Sequence, residues 1–209
     1  MTPEQQKFYD IKNTPDYKVI GDDLDYKVFV DDSKKQIVLQ FKESDSREDW
    51  VNNFSFLPWP IKLAGKVVWT THGYARAYAS ACSQPLFDTL SLLSEHPDYG
   101  IVIRGWSFGS AMSKIAVRHF AIKGYKIAEL TTYGDVKCWL NPFYSNKKYC
   151  KRIREYVQPN DAVTYCVPFF YHRDVKCSVG RRLNLIEIFK VEKYHAHYED
   201  CDYTKWEAD

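Results

Sequence analysis

The sequence predicts an α/β fold: a central, mostly parallel sheet flanked by helices and preceded by a β-hairpin. Strand-like and helix-like patterns alternate through the middle of the chain, the order that lays such a sheet between helices. Crossovers in it are expected to be right-handed, and ligand sites to sit at the carboxyl ends of its strands. The 209 residues suit one domain, expected to span residues 1–209, with a core large enough to stand without metal or disulfide staples.

Thr2-Pro3-Glu4-Gln5 offers Thr as N-cap, Pro in the first turn and Gln at the capping-box position, so a short helix starts there. Residues 26–30 and 36–41 are alternating or β-branched runs around Asp31-Asp32-Ser33-Lys34-Lys35, a hairpin. Residues 48–54 suit a short helix that Leu57-Pro58-Trp59-Pro60 ends, because proline blocks continuation. A strand is expected over 66–71, then helical spacing from Tyr74 to about Glu95 with a break at Pro85. Residues 99–104 make a compact, buried strand.

From Ser107 to about Ile122 a helix is expected. Phe108, Ala111, Met112, Ile115, Ala116, His119 and Phe120 fall at i, i+3, i+4 spacing, and Gly124 stops the run. Residues 126–133 form the next strand. A basic, helix-poor stretch leads to Arg154, and residues 156–157 and 163–167 are extended runs around Asn160-Asp161. Residues 183–189 are a last strong strand before a tail holding His195 and His197.

Composition narrows the functional classes. Hydrophobic residues are 45% and charged residues 27%, a globular profile. A formal net charge of +2 gives no electrostatic footprint for nucleic acid. The N-terminus is polar, so no secretory signal is expected, and no apolar run approaches the ~20 residues that span a bilayer. A cytoplasmic chain with free thiols is the resulting expectation, although a mature secreted chain stripped of its signal would read the same. Cys82, Cys138, Cys150, Cys166, Cys177 and Cys201 include no CxxC pair, which argues against a zinc ribbon.

The chemistry centres on Gly105-Trp106-Ser107-Phe108-Gly109, a G-x-S-x-G match. It follows a buried strand and opens an amphipathic helix, the setting of a nucleophile elbow in an α/β-hydrolase-like fold. Glycine on either flank removes Cβ clashes in so sharp a turn, and the helix N-terminus turns amide N–H groups and positive dipole toward a developing oxyanion. A serine nucleophile needs a base and the base an orienting acid, in the chain order Ser, Asp or Glu, His. Ser107, Asp161 and His195 fit that order. On the residues alone Asn160-Asp161 is also an ordinary turn pair, and His197 and His172 compete with His195.

At this point the chain resembles the class 3, or fungal lipase-like, family of α/β-hydrolases, from about Gln36 to Tyr198. The family's Phe-Arg-Gly-Ser/Thr strand end is matched by Phe41-Lys42-Glu43-Ser44, and its Asp/Asn-Trp segment by Asp49-Trp50. His72-Gly73-Tyr74 is similar to His-x-Gly-Phe, and Gly105-Trp106-Ser107-Phe108-Gly109-Ser110-Ala111 to Gly-His-Ser-Leu-Gly-Gly-Ala. Tyr133-Gly134-Asp135-Val136-Lys137, Asn160-Asp161-Ala162-Val163 and His195-Ala196-His197-Tyr198 complete the series in order.

The resemblance implies a lipase or esterase that acts on an ester or lipid substrate and needs no metal or organic cofactor. It selects His195 by its spacing to Tyr198 and implies a triad of Ser107, His195 and Asp161. The Ser44 hydroxyl and amide and the Phe108 amide would form the oxyanion hole. Residues 46–54 would be a lid, with Trp50, Phe54 and Trp106 as candidate lid or substrate-contacting residues. Glu43, Trp106, Ser110 and Asp135 depart from the family's Gly, His, Gly and Pro, which marks a divergent branch and argues against long-chain triacylglycerol. The same triad would also serve acyl transfer or amide hydrolysis, and an abandoned triad a binding protein. Residues 146–154 are basic enough to touch anionic lipid headgroups, with a solvated face as the plainer reading.

Overall fold

The computed structural model describes residues 1–20, 24–43, 55, 57–81, 83–141, 143–171, 176–180, 184–185 and 190–203. The chain begins with helix α1, Pro3–Asn13. Its Thr2 side chain accepts from the Gln5 amide while the Gln5 side chain reaches back to the Thr2 amide, the reciprocal cap its sequence predicts. Strands β1 (Lys18–Ile20), β2 (Leu24–Asp31) and β3 (Gln36–Glu43) follow, β2 pairing antiparallel with both its neighbours.

Next come β4 (Pro58–Leu63) and β5 (Lys66–Thr71), helices α2 (His72–Ala81) and α3 (Ser83–Glu95), strand β6 (Gly100–Trp106) and helix α4 (Phe108–Ile122). Strands β7 (Ile127–Tyr133), β8 (Cys150–Val157) and β9 (Lys176–Ser178) and the short helix α5 (Val191–His195) complete the order. Among the described residues the main sheet has seven strands in the order β1-β2-β3-β6-β7-β8-β9. From β3 to β9 every pairing is parallel. The fold is the predicted α/β architecture with its N-terminal hairpin.

Helix α4 covers one face of β3, β6 and β7, and α2 and α3 pack on the same side. Their shared core includes Leu39, Ile101, Ile103, Met112, Ile115 and Leu130, all buried. Helix α1 and the C-terminal turns cover the other face, where Phe8, Ile11, Tyr133, Tyr156 and Tyr198 form a second, aromatic cluster. Burial on both faces explains why β6 reads as a continuous apolar run rather than an alternating one.

Several local expectations are corrected. The segment Leu57-Pro58-Trp59-Pro60 is not only a stop, because residues from Pro58 onward are β4. Proline is tolerated there since β4 pairs only with β5 among the described residues. Strand β5 is consequently in a two-stranded ribbon and not in the parallel sheet. Residues Ala162–Tyr165 form a 3₁₀ turn rather than an extended run, because the Asp161 side chain accepts from the Val163 amide and caps the turn. The basic residues Lys151, Arg152 and Arg154 lie on strand β8. Asn184 and Leu185 are outside any strand. The rest of the strand expected at 183–189, and the helix expected at 48–54, lie outside the described residues.

Candidate active site

The parallel register carries β6 and β7 to the same level, with Trp106 beside Tyr133. The chain then turns sharply from β6 into α4. Ser107 occupies that turn at φ 55°, ψ −123°, a backbone conformation that a non-glycine residue adopts only when its surroundings enforce it. Its amide donates to the Tyr133 carbonyl at 3.0 Å and its carbonyl accepts from the Ser110 amide at 2.8 Å.

The flanking glycines have a measurable reason. A Cβ on Gly105 would lie 2.2 Å from the Gly109 carbonyl oxygen, and one on Gly109 would lie 2.5 Å from the Phe41 carbonyl oxygen. The last contact sets the end of β3 directly against the first turn of α4. Phe108 opens that helix, so its amide points from the helix N-terminus, and its ring packs edge-on against Tyr74 at 5.3 Å.

The turn after β6, the loop after β8 and the last residue of helix α5 bring the candidate residues together. The Ser107 hydroxyl lies 2.6 Å from His195 Nε2, and His195 Nδ1 lies 2.8 Å from Asp161 Oδ2. Ser107 and Asp161 are fully buried and His195 is 3% exposed. A carboxylate only accepts, so Nδ1 carries the proton and Nε2 is left to accept from the serine hydroxyl. His197 instead faces Glu199 at 3.3 Å and is half exposed.

The acid is itself held. Asp161 Oδ2 also accepts from the Tyr198 hydroxyl at 2.9 Å, and Oδ1 accepts from the Val163 amide at 3.1 Å. Tyr198 in turn accepts from the Gln158 amide at 2.9 Å. Burial, reinforced by the Asp161 charge, pushes the Tyr198 hydroxyl well above its ordinary pKa, so it remains a donor. Gln158 ties the loop down by donating to the Tyr194 and His197 carbonyls.

The residues that depart from the family pattern have partners of their own. The Trp106 indole N–H donates to the His195 carbonyl at 3.0 Å, and its ring packs edge-on against Phe8 at 5.6 Å. Ser110 accepts from the Val136 amide at 3.1 Å. Asp135 accepts from Lys114 at 2.9 Å and from the Thr132 hydroxyl at 2.9 Å, with the Lys114 side chain 1% and the Asp135 side chain 0% exposed. This buried pair anchors the segment after β7, where Gly134 at φ 55° comes so close to His195 that a Cβ would lie 2.9 Å from its ring.

Sequence reasoning had no role for Lys114, Gln158 or the Tyr198 hydroxyl. Lys114 lies off the apolar stripe of α4, so the sequence carries no signal of its burial. Glu43 ends β3, its backbone opposite Leu24. Ser44, Trp50, Phe54 and the remainder of the expected lid, together with His172, lie outside the described residues. Among the described cysteines, Cys138, Cys166, Cys177 and Cys201 are free thiols. No group of three or more His, Cys, Asp or Glu able to hold a metal occurs among the described residues, and none of their helices is long and apolar enough to cross a membrane.

A parallel sheet, a positive-φ serine between strand and helix, and a hydrogen-bonded histidine and acid supplied from later in the chain define an α/β-hydrolase fold. Residues 38–171 match the family model described as Lipase (class 3), and the chain belongs to that family. A secreted mono- and diacylglycerol lipase of Fusarium solani is 27% identical over 120 residues, 57% of this chain and 35% of that protein. The crystal structure of a mono- and diacylglycerol lipase from Aspergillus oryzae superimposes with TM-score 0.65 at 22% identity, covering 81% of this chain and 62% of the other. A Rhizomucor miehei lipase in complex with its propeptide gives TM-score 0.66 at 20% identity, covering 76% and 52%. The chain spans only about a third of the length of the curated relatives it matches.

Proposed function

We propose that this protein hydrolyses carboxylic esters of the acylglycerol type, with Ser107 as nucleophile. The observation that carries the proposal is the unbroken hydrogen-bonded chain from Ser107 through His195 to Asp161, with the serine raised on a strained elbow at a helix N-terminus. Membership of a lipase family supports the ester substrate. The mono- and diacylglycerol lipases among its relatives support partial glycerides.

In this reading His195 Nε2 takes the proton as Ser107 Oγ bonds to the ester carbonyl carbon. Asp161 holds the imidazole in the tautomer that can accept and stabilises the imidazolium that forms. The Phe108 amide receives the oxyanion, and we assign the second donor to Ser44, three residues beyond the Phe41 carbonyl that touches Gly109. Collapse breaks the ester C–O bond, and the alcohol leaves with the proton from His195. Water, deprotonated by His195, then cleaves the acyl-enzyme and releases the acid and the free serine. The residues that act in this scheme are all side chains and amides of the chain itself.

The test is hydrolysis of p-nitrophenyl esters across acyl lengths by wild type and Ser107→Ala. The account expects a loss of at least about 10³-fold in kcat. Equal rates in the two proteins would remove Ser107 from the mechanism. The profile over acyl length separates an esterase from a lipase.

A further inference from the structure

Across the sheet from α4, helix α1, the β2–β3 hairpin and strands β6 to β8 line a solvent-open cavity of about 590 Å³. Arg104 forms part of its wall, on β6 three residues before Ser107. The residue is only 5% exposed, so its guanidinium has given up most of its water. A buried cation is tolerated when a carboxylate or an equivalent acceptor replaces that water.

The other cations around the cavity obey this rule. Lys7 pairs with Glu129 at 2.9 Å and with Glu4 at 3.5 Å, Arg152 with Glu129 at 3.7 Å, and Arg154 with Glu4. Arg104 does not. Among the described residues it belongs to no ion pair, and its side chain makes one long hydrogen bond, from Nη1 to the neutral Gln40 Oε1 at 3.4 Å. Its buried Nε has no partner. Glu129 feels the Arg104 charge but makes its direct contacts with Lys7 and Arg152. Glu4 is shared by Lys7 and Arg154, and of the other acids on the wall Asp31 pairs with Lys34 and Asp10 accepts from Gln6.

We propose that this cavity is a binding site for an oxyanion group, the phosphate or carboxylate of a small ligand, with Arg104 as its principal contact. A guanidinium presents paired N–H donors that match two oxygens of such a group, and the desolvation already present in the free protein lowers the cost of forming the contact. The site is on the opposite face of the sheet from α4.

Thermal melting of the intact chain tests it, with sodium phosphate, sodium octanoate, or sodium chloride at matched ionic strength. The wild type should gain about 3 °C saturably with phosphate or octanoate and nothing with chloride. Response to phosphate alone assigns a phosphate ligand, and response to octanoate alone a carboxylate. Arg104→Gln should abolish the gain. Gln36→Glu leaves Arg104 in place but adds a negative charge to the cavity wall, and should raise the half-saturating concentration about tenfold; it decides the matter if Arg104→Gln does not fold. Overturning results are no saturable gain in the wild type, an equal gain in Arg104→Gln, as octanoate in the ester site would give, or an unchanged titration in Gln36→Glu.

Discussion

Replacing Lys114 by methionine keeps most of the unbranched side chain and removes its charge. The consequence follows from where the charge is. Lys114 Nζ donates to Asp135 Oδ2 at 2.9 Å and to the Val136 carbonyl, and both side chains of the pair are at most 1% exposed. Removing one member of a buried ion pair leaves the other charged and dry, which costs about 3–5 kcal/mol. For a chain of this size each kcal/mol lowers Tm by roughly 2–4 °C, so Lys114→Met should melt about 6–20 °C below the wild type.

Catalysis should suffer too, since the Asp135 segment includes Gly134, which abuts the His195 ring. The double variant Lys114→Met/Asp135→Asn removes the stranded charge, keeps an acceptor for Thr132, and should recover much of the lost stability. Differential scanning calorimetry at neutral pH reads both variants. A Tm within 2 °C of wild type for Lys114→Met would refute the reasoning, as would a double variant less stable than the single one by the full effect of Asp135→Asn. Burial alone would lower the Lys114 pKa, but Asp135 and then Glu155 outweigh it and raise the value. A folded pKa above the unfolded ~10.4 means that the pair's contribution is complete below about pH 10 and is lost only as pH rises beyond it.

Other outcomes are expected alongside this one. Tyr198→Phe removes a donor to Asp161 and strands the Gln158 amide, so stability should fall by about 1–3 kcal/mol, and steady-state kinetics should show kcat falling more than KM. Trp106→Phe preserves an aromatic ring beside Phe8 but loses the hydrogen bond to the His195 carbonyl; kcat for ester hydrolysis should drop about 3–10-fold, a bond worth ~1 kcal/mol, with KM unchanged. Gly109→Ala drives a Cβ to 2.5 Å from the Phe41 carbonyl oxygen, a backbone clash that should cost about 3 kcal/mol in a urea melt and most of the activity. Burial raises the Glu129 carboxyl, but Lys7 and Thr131 more than offset it and hold it below the usual range. Its contribution is therefore present above about pH 4.3 and is lost as pH falls through the lower folded value. Glu129→Gln should accordingly flatten the decline in Tm between pH 5 and pH 3.

Much of this molecule was legible because it is written locally. The capping box at Thr2 and Gln5, the β-branched run of β6 and the apolar stripe of α4 each depend on neighbours in sequence, and each appears where expected. The elbow was legible for a similar reason, since its two glycines answer clashes within a few residues of Ser107, apart from the approach of Phe41. Partners distant in the chain were not legible. Lys114 reads as a surface charge until Asp135 comes to meet it. Trp106 reads as a candidate substrate contact until the packing of α1 turns its indole to Phe8 and to the His195 carbonyl. Pro58 and Pro60 hid β4 because an edge strand tolerates residues that a central strand does not. Asp161 hid the turn after it because its side-chain cap overrides the β-propensity of Val163 and Thr164.

The most direct test of the central claim is covalent capture of the nucleophile. The intact protein would be treated with diethyl p-nitrophenyl phosphate, and the release of p-nitrophenol and the masses of the protein and its peptides would be followed. The account predicts one equivalent of p-nitrophenol, one diethylphosphoryl group per chain on the peptide containing Ser107, no adduct in Ser107→Ala, and slowed capture in Asp161→Asn. Failure of the wild type to react, or an adduct on any other residue with Ser107 unmodified, would contradict it.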